Sequence, residues 1–318
     1  MKRLFAITAA FGVTIASVAA AEYPERPIEM IVAYSAGGGT DTAARTLAPF
    51  IEKYLGEGAS ITVVNRPGAG GEVGFTELSR ARPDGYTIGF INTPNILSIP
   101  IARQTRYSMD SIQAVSNVVD DAGAFNVLPN SPFTTLDELV AYAKENPGSV
   151  TYGTSGVGGD DHLAVLQFER LTGISMTHVP FSGAADVRAA VMGGHIAMAG
   201  LNISEAASLV NEGELIALGQ MGEKRWTGAP DVPTFQEQGY DLVMGSSRGI
   251  GAPAGIPEEA LNALQEAIAK TVEDPEFLAA AEKQDLPLDF QNAADFQAML
   301  DELDSNLRTL WEENPWVE

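Results

Sequence analysis

Two glycine-rich turns hold the residues of this sequence whose types and spacing could bind a ligand. Residues 34–41 (YSAGGGTD) follow an apolar run at 28–33, and residues 65–71 (NRPGAGG) follow another at 60–64. Glycine lets the backbone approach a ligand closely, and a helix beginning after such a turn offers unpaired N–H groups and partial positive charge. If both turns face one cleft, backbone amides alone would hold a carboxylate or a phosphate.

Other ligand and catalytic motifs fit less well. No Lys-Ser or Lys-Thr follows either turn, which excludes a Walker A loop, and Val73 stands where a dinucleotide fingerprint needs glycine. Residues 153–157 (GTSGV) nearly match a nucleophile elbow, with Val157 replacing the last glycine. An exported serine hydrolase that uses Ser155 and His162 therefore remains the alternative function. Residues 160–162 (DDH) lack a second cluster at ligand spacing, so we expect no metal and no cofactor.

Three charged residues have two interpretations each. Asp161 could cap a helix or touch the ligand, and the capping role is favoured. Asp41 would favour the start of its helix and tie the amides of its turn in place, which indicates a supporting role. Arg248 lies in a predicted hinge segment, where it would either clamp a ligand carboxylate bidentately or form an ion pair that stiffens the hinge.

Composition narrows the class of protein. Residues 1–21 combine Lys2 and Arg3 with an apolar stretch and a final Ala-Ala-Ala, the order of a secretory signal peptide. No later run is long and apolar enough for a membrane span. Cysteine is absent, which excludes disulfides and thiolate chemistry, and a net charge of −23 makes nucleic acid a poor partner.

Strand-like and helix-like runs alternate along the chain, which predicts an α/β protein of two open sheets with flanking helices. A first unit ends near residue 120 and a second covers 121–245, with extended segments at 114–128 and 242–252 crossing between them. The acidic, mainly helical tail is expected to pack on the first unit. The predicted lobes are therefore 22–120 plus 246–318 and 121–245, joined as a hinged clamshell with the ligand between them.

With these residues set out, the chain resembles the TctC-type (Bug) periplasmic solute receptors of tripartite tricarboxylate transporters. The matching stretches are 23–28 (YPERPI), 37–41 (GGGTD), 65–71 (NRPGAGG), 83–87 (PDGYT), 152–156 (YGTSG), 178–181 (HVPF), 193–195 (GGH), 230–234 (PDVPT) and 252–255 (APAG). The resemblance implies a two-lobed periplasmic-binding-protein (Venus flytrap) fold. It also implies a monomer without enzymatic activity that delivers a small di- or tricarboxylate to membrane permease subunits, or that presents it to a sensor. Many relatives have an aromatic pair where this chain has Ser247-Arg248, and this departure leads us to expect a further ligand carboxylate at Arg248.

The resemblance and the glycine turns together define the candidate ligand-binding residues. They are Tyr34, Ala36, Gly37, Gly38, Gly39, Thr40, Asp41, Gly68, Ala69, Gly70, Gly71, Asn92, Thr93, Ser155, Gly156, Asp161, His162, Phe181, Ser182, Gly183, Asn202 and Arg248.

Overall fold

The computed structural model describes residues 23–317, so the predicted signal peptide at 1–21 lies outside the described residues. The first half of the fold alternates strands with helices, as the sequence predicts. Its elements are β1 (Ile28–Val32), α1 (Gly39–Leu55), β2 (Ile61–Asn65), α2 (Glu72–Arg80), β3 (Thr87–Asn92), α3 (Asn95–Ala102) and β4 (Ile112–Val127). β1 pairs in parallel with both β2 and β3, and β1 and β3 are almost entirely buried because helices cover both faces.

The second half continues the alternation with shorter strands. Its elements are α4 (Leu136–Glu145), β5 (Thr151–Thr154), α5 (Asp160–Thr172), β6 (Thr177–Pro180), α6 (Ala184–Met192), β7 (Met198–Asn202), α7 (Ile203–Asn211), β8 (Ile216–Gln220) and β9 (Gly245–Pro253). β5 pairs in parallel with β6 and with β7, and Thr135 caps α4 by accepting the N–H of Glu138.

β4 and β9 connect the two halves. The first part of β4 pairs antiparallel with β9, and its last residues, from Gly123 onward, pair with β7 and β8. β9 also pairs antiparallel with β3. The strands follow the order β2-β1-β3-β9-β4-β7-β5-β6, in which β4 and β9 are the crossing strands that join the two predicted sheets.

The C-terminal tail packs on the first half. It comprises α8 (Glu258–Glu273), α9 (Pro275–Lys283), β10 (Leu288–Gln291) and α10 (Ala293–Glu313). Leu264, Ile268 and Phe277 of this tail share a buried cluster with Ile28 and Leu47. The tail therefore completes the core of the N-terminal unit.

The sequence interpretation missed one helix, α3. α3 contains Pro100, and Pro94 immediately precedes it, so the pattern reads as a loop. The helix forms because its apolar face, including Ile96, Leu97 and Ile99, is buried in a cluster with α10. Within residues 23–317, no helix combines the length and apolar character that crossing a membrane requires.

Candidate functional site

A small cavity lies between the two halves, at the ends of β3 and β7 and the start of α1. Its empty volume, open solvent included, is about 350 Å³. Its lining residues are Tyr34, Gly38, Gly39, Thr40, Asn92, Asn95, Ser155, Asp160, Ala184, Asn202, Glu205, Ser246 and Arg248.

The N-terminus of α1 forms one wall of the cavity. The first helical residues, from Gly39 onward, have N–H groups without a partner one turn earlier in the helix. A Cβ at Gly39 would collide with the side chains of Glu205 and Arg248, so only glycine fits at this close approach. Gly39 itself places no side chain in this wall, and its N–H donates to Glu205 Oε1 at 3.0 Å.

Asp41 supports this turn from behind. Its Oδ2 accepts the Gly37 N–H at 2.9 Å, and its Oδ1 accepts Asn65 Nδ2 at 2.9 Å and ion-pairs with Arg45. Burial tends to raise the pKa of Asp41, but the hydrogen bonds from Arg45, Gly37 and Asn65 outweigh it and lower the pKa below its usual value. Asp41 is outside the cavity lining and holds the Gly37 amide of the turn.

Arg248 is the buried cation of the site, with 1 % of its surface exposed. Its Nη1 lies 2.9 Å from Asp121 Oδ2, and its Nη2 lies 3.1 Å from Glu205 Oε1 and donates to Asn202 Oδ1 at 2.9 Å. The ion-pair interpretation of Arg248 therefore describes its contacts in this structure. Since it also lines the cavity, a ligand contact would have to be made in addition to these bonds or in exchange for one of them.

Three acidic side chains, Asp121, Asp160 and Glu205, surround the single guanidinium of Arg248. Burial raises the pKa of Asp121 to about 7 although Arg248 lowers it, and burial raises the pKa of Asp160 to about 6. Asp160 Oδ2 accepts Asn202 Nδ2 at 2.7 Å, so Asn202 joins the Arg248 and Asp160 side chains. We call Asp121, Asp160 and Glu205 the acidic cluster.

Asn92 and Thr93, at the end of β3, have different roles. Asn92 Nδ2 donates to Thr40 Oγ1 at 2.9 Å, while its buried Oδ1 has no hydrogen-bond partner in the described part of the chain. Thr93 instead exchanges hydrogen bonds with Ser247, since its Oγ1 accepts the Ser247 N–H at 2.9 Å. Asn92 faces the cavity, whereas Thr93 ties β3 to β9.

The second glycine turn is not part of the cavity lining, which differs from the expectation that both turns face one cleft. Gly70 and Gly71 have φ of 71° and 107°, and Gly68 precedes them with φ of 134°. The turn packs against the loop after β5, where a Cβ at Gly156 would lie 2.5 Å from Gly70 Cα. Its glycines permit a backbone-to-backbone contact between the halves. Ala69, at the tip of this turn, accepts a hydrogen bond from Arg103 Nη2.

His162 lies behind the cavity and not in its lining. Its Nδ1 accepts the Gly158 N–H at 3.2 Å, its ring stacks on His178 at 4.3 Å, and burial lowers its pKa to about 3. Within residues 23–317, no hydrogen bond joins His162 to Ser155, although Ser155 does line the cavity. A neutral imidazole directed at a backbone amide is poorly placed to activate this serine.

Asp161 is not the helix cap that the sequence favours. Gly159 caps α5, and Asp160 and Asp161 are its first two residues, both buried. Burial raises the pKa of Asp161 well above its usual value, and the neighbouring Asp160 raises it further. The interpretation of Asp161 as a cap was wrong because the glycine before the two aspartates already has the extended conformation of a cap.

The loop before α6 closes over the first glycine turn from the other half. Ser182 O accepts the Ser35 N–H at 3.3 Å, and a Cβ at Gly183 would lie 2.9 Å from Ser35 N. The exposed Gly37 accepts Arg188 Nη2 at 3.0 Å through its carbonyl oxygen. Ser182 and Gly183 thus belong to the rim between the halves, while Phe181 packs on the hydrophobic cluster of the second half and Ala36 is exposed, and none of the four lines the cavity.

Sequence reasoning missed five residues of the lining. They are Asn95, Asp160, Ala184, Glu205 and Ser246. Glu205 had a readable signal as the last residue of an Asn-x-x-Glu capping box that starts at Asn202. The box indicates a helix start, but nothing in the sequence shows that the Glu205 side chain reaches across to α1.

The fold and this cleft are those of a solute-binding protein. Residues 43–312 match the family model described as "Tripartite tricarboxylate transporter family receptor" (TctC), and the chain belongs to that family.

Individual proteins support this assignment. The "UPF0065 protein in gbd 5'region" of Cupriavidus necator is 33% identical over 92% of this chain and 89% of its own. The structure of the periplasmic binding protein BugD is 26% identical with a TM-score of 0.86, over 92% of this chain and 98% of that one. MatC of Rhodopseudomonas palustris with bound malate has a TM-score of 0.85 at 23% identity, over 91% and 99% of the two chains, and this likeness concerns the fold.

Proposed function

We propose that this protein is a periplasmic receptor that captures a small carboxylate and delivers it to the permease subunits of a tripartite tricarboxylate-type transporter. The observation that carries the proposal is the N-terminus of α1, which opens into the cavity between the two halves beside Thr40, Asn92 and Arg248. A helix N-terminus attracts anions through its amides and its dipole. The family to which the chain belongs supports a solute-binding role.

In this proposal the first glycine turn anchors one ligand carboxylate. The amides at Gly38, Gly39 and Thr40 are its donors, with the Gly39 N–H released from or shared with Glu205, and Ser155 contributes from the other half. The second glycine turn acts indirectly, since it sets the distance between the halves through its contact with Gly156. The remaining candidate residues shape the rim and the backing of this site.

The two halves act as lobes that close on the ligand. We place the lobe boundaries at 22–120 plus 246–318 and 121–245, with β4 and β9 crossing between them. The bonds from Ser35 to Ser182 and from Arg188 to Gly37 join the lobes at the rim of the cleft. A ligand that contacts both lobes favours the closed form. The proposed protein is monomeric, exported by its signal peptide, and binds its ligand without turnover.

Calorimetry with malate tests the anchor directly. Wild-type protein should bind malate one-to-one, and Gly38→Val should abolish binding while folding normally. Gly38→Ala is the matched control, because a Cβ at Gly38 makes only ordinary contacts, the nearest at 3.6 Å, whereas the valine methyl groups reach further into the cavity. Wild-type affinity in a folded Gly38→Val variant would contradict the anchor. Scattering with and without saturating malate then measures closure, and an unchanged radius of gyration would argue for a rigid pocket.

A further inference from the structure

The side chain of Glu205 bridges the cavity from one half of the fold to the other. It starts on α7, and its Oε1 accepts the N–H of Gly39, the first residue of α1, at 3.0 Å. The same oxygen lies 3.1 Å from Arg248 Nη2, and the side chain is 6% exposed. A carboxylate of the protein thus holds a helix-terminal amide and a guanidinium at the same point of the cavity.

Those two donors are the ones that an anionic ligand would use. A helix N-terminal amide and a buried guanidinium are the strongest partners for a carboxylate, because both hydrogen bonds are assisted by charge. Gly39 and Arg248 both line the cavity, and both direct a donor at Glu205 Oε1. The ligand carboxylate and the Glu205 carboxylate therefore have the same binding partners.

We propose that Glu205 is a specificity-determining residue that competes with the ligand carboxylate for the Gly39 amide and for Arg248. This inference rests on the function proposed above. A ligand gains the full strength of the anion site only after it displaces the Glu205 oxygen or shares its donors. Glu205 thereby lowers affinity for anions in general and favours a ligand whose other contacts offset the displacement.

The charge around Glu205 strengthens this competition. Asp121 pairs with the same guanidinium and Asp160 is linked to it through Asn202, while Arg188 donates to the backbone carbonyl of Glu205 and not to its carboxylate. A ligand anion entering beside the Glu205 carboxylate would add a further negative charge to a buried group of acidic side chains. Removing the Glu205 charge relieves this repulsion and frees Arg248 for the ligand.

The two carboxylate oxygens of Glu205 have separate roles, which makes the inference testable. Oε2 accepts the Asn202 N–H at 3.2 Å and completes the capping box of α7, while Oε1 makes the contacts with Gly39 and Arg248. Glutamine also completes a capping box. In Glu205→Gln the single amide oxygen keeps the Asn202 N–H and the helix cap, while the NH2 group faces Gly39 and Arg248 and accepts from neither. The variant thus removes the charge and the competing acceptor, and Arg248 keeps Asp121 and Asn202 as partners.

The experiment measures malate and its neutral diamide by calorimetry in wild type, Glu205→Gln and Glu212→Gln. Glu212 follows α7 at its C-terminal end and is exposed, so it matches the charge change away from the cavity. Glu205→Gln should bind malate about tenfold more tightly and the diamide no more tightly, because like charges at close range oppose binding. Glu212→Gln should stay within about twofold of wild type for both probes, since a surface charge at that distance is screened. Circular dichroism and melting temperature confirm that both variants are folded.

Each other outcome has a defined meaning. Malate binding that is unchanged or weaker in folded Glu205→Gln overturns the competition, and weaker binding makes Glu205 a ligand contact. Equal tightening for malate and the diamide also overturns it, because the effect would then be one of shape and not of charge. If wild type binds malate and only the tightening fails, the proposed function stands. If none of the three proteins binds malate, the proposed anchor fails and this inference fails with it.

Discussion

The turn at residues 34–41 leads directly into α1, whose first amide meets Glu205 in the cavity. The turn at residues 65–71 passes through a short 3-10 segment before α2, and its Gly70 meets the backbone at Gly156 and Val157. The two turns follow β1 and β2, which are parallel neighbours in one sheet, and both turns are rich in glycine. Only the first lines the cavity.

The difference shows two uses of glycine for close approach. At Gly39 the missing side chain makes room for a carboxylate and a guanidinium, with no unusual backbone angle. At Gly70 and Gly71 positive φ angles shape a turn whose partner is another segment of backbone. A glycine-rich turn after a strand therefore indicates a close contact, and what lies opposite decides whether that contact is a ligand site.

The largest expected effect concerns Arg248, the buried cation beside the first turn. Arg248→Met should lower the free energy of unfolding by about 3–5 kcal/mol, because it leaves Asp121 and Glu205 buried without their cation. Urea denaturation measures the loss. A change below about 1 kcal/mol would mean that the acidic cluster takes up protons at little cost and that the first turn needs no buried cation.

Alanine at the two glycines should separate binding from stability. In Gly39→Ala the methyl group would collide with Glu205 and Arg248 beside the first amide of α1. Malate affinity should fall by about tenfold or more, because the ligand loses a charge-assisted hydrogen bond when the guanidinium is pushed away. In Gly70→Ala the left-handed backbone should cost about 1–2 kcal/mol of stability, with malate binding largely kept. Loss of binding in Gly70→Ala alone would reverse the roles given to the two turns.

The carboxylates on either side of the first turn should have opposite pH signatures. The pKa of Asp41 is lowered in the folded protein, so its contribution is present above its unfolded pKa of about 3.9 and is lost as the pH falls through its lower folded pKa. Asp41→Asn should therefore be less stable than wild type at pH 7, by about 1–2 kcal/mol for lost charged hydrogen bonds, and the difference should close below about pH 4.

Asp160 should behave in the opposite way. Burial raises its pKa to about 6, so its protonated form stabilises the folded protein below its unfolded pKa of about 3.9, and this contribution is lost as the pH rises through 6. Asp160→Asn should gain stability over wild type between about pH 4 and pH 7. Denaturation curves at several pH values check both variants, and parallel profiles for the two would contradict the assigned pKa directions.

The smallest expected effect belongs to the second turn. Arg103 donates to Ala69 O and pairs with Glu72 at 2.7 Å, but its side chain is 41% exposed. Arg103→Met should change stability by less than about 1 kcal/mol, because exposed ion pairs contribute little. Malate affinity should stay within about twofold of wild type, because solvent and salt screen the charge of an exposed side chain from the cavity. A larger change in affinity would connect the second turn to the ligand after all.

Much of the fold follows from local patterns. The apolar strand at 28–32 and the helix after the first glycine turn are close to their predicted positions, because each depends on neighbours a few residues away. α3 was missed, since two prolines hide a helix whose stability comes from packing on α10. The exact partition of β4 between the two halves also depends on distant pairing.

The sequence by itself determined the α/β alternation, the export-like N-terminal pattern, the absence of thiol chemistry and the presence of two backbone sites for close approach. Tertiary structure alone decided that Arg248 meets Asp121 and Glu205, and that the first turn, not the second, opens into the cavity. The physical reason is distance along the chain. Gly39 and Glu205 are 166 residues apart, and their contact exists only because β4 and β9 bring the two halves together. A residue's chemical type is local information, but the partner that its charge meets depends on the whole fold.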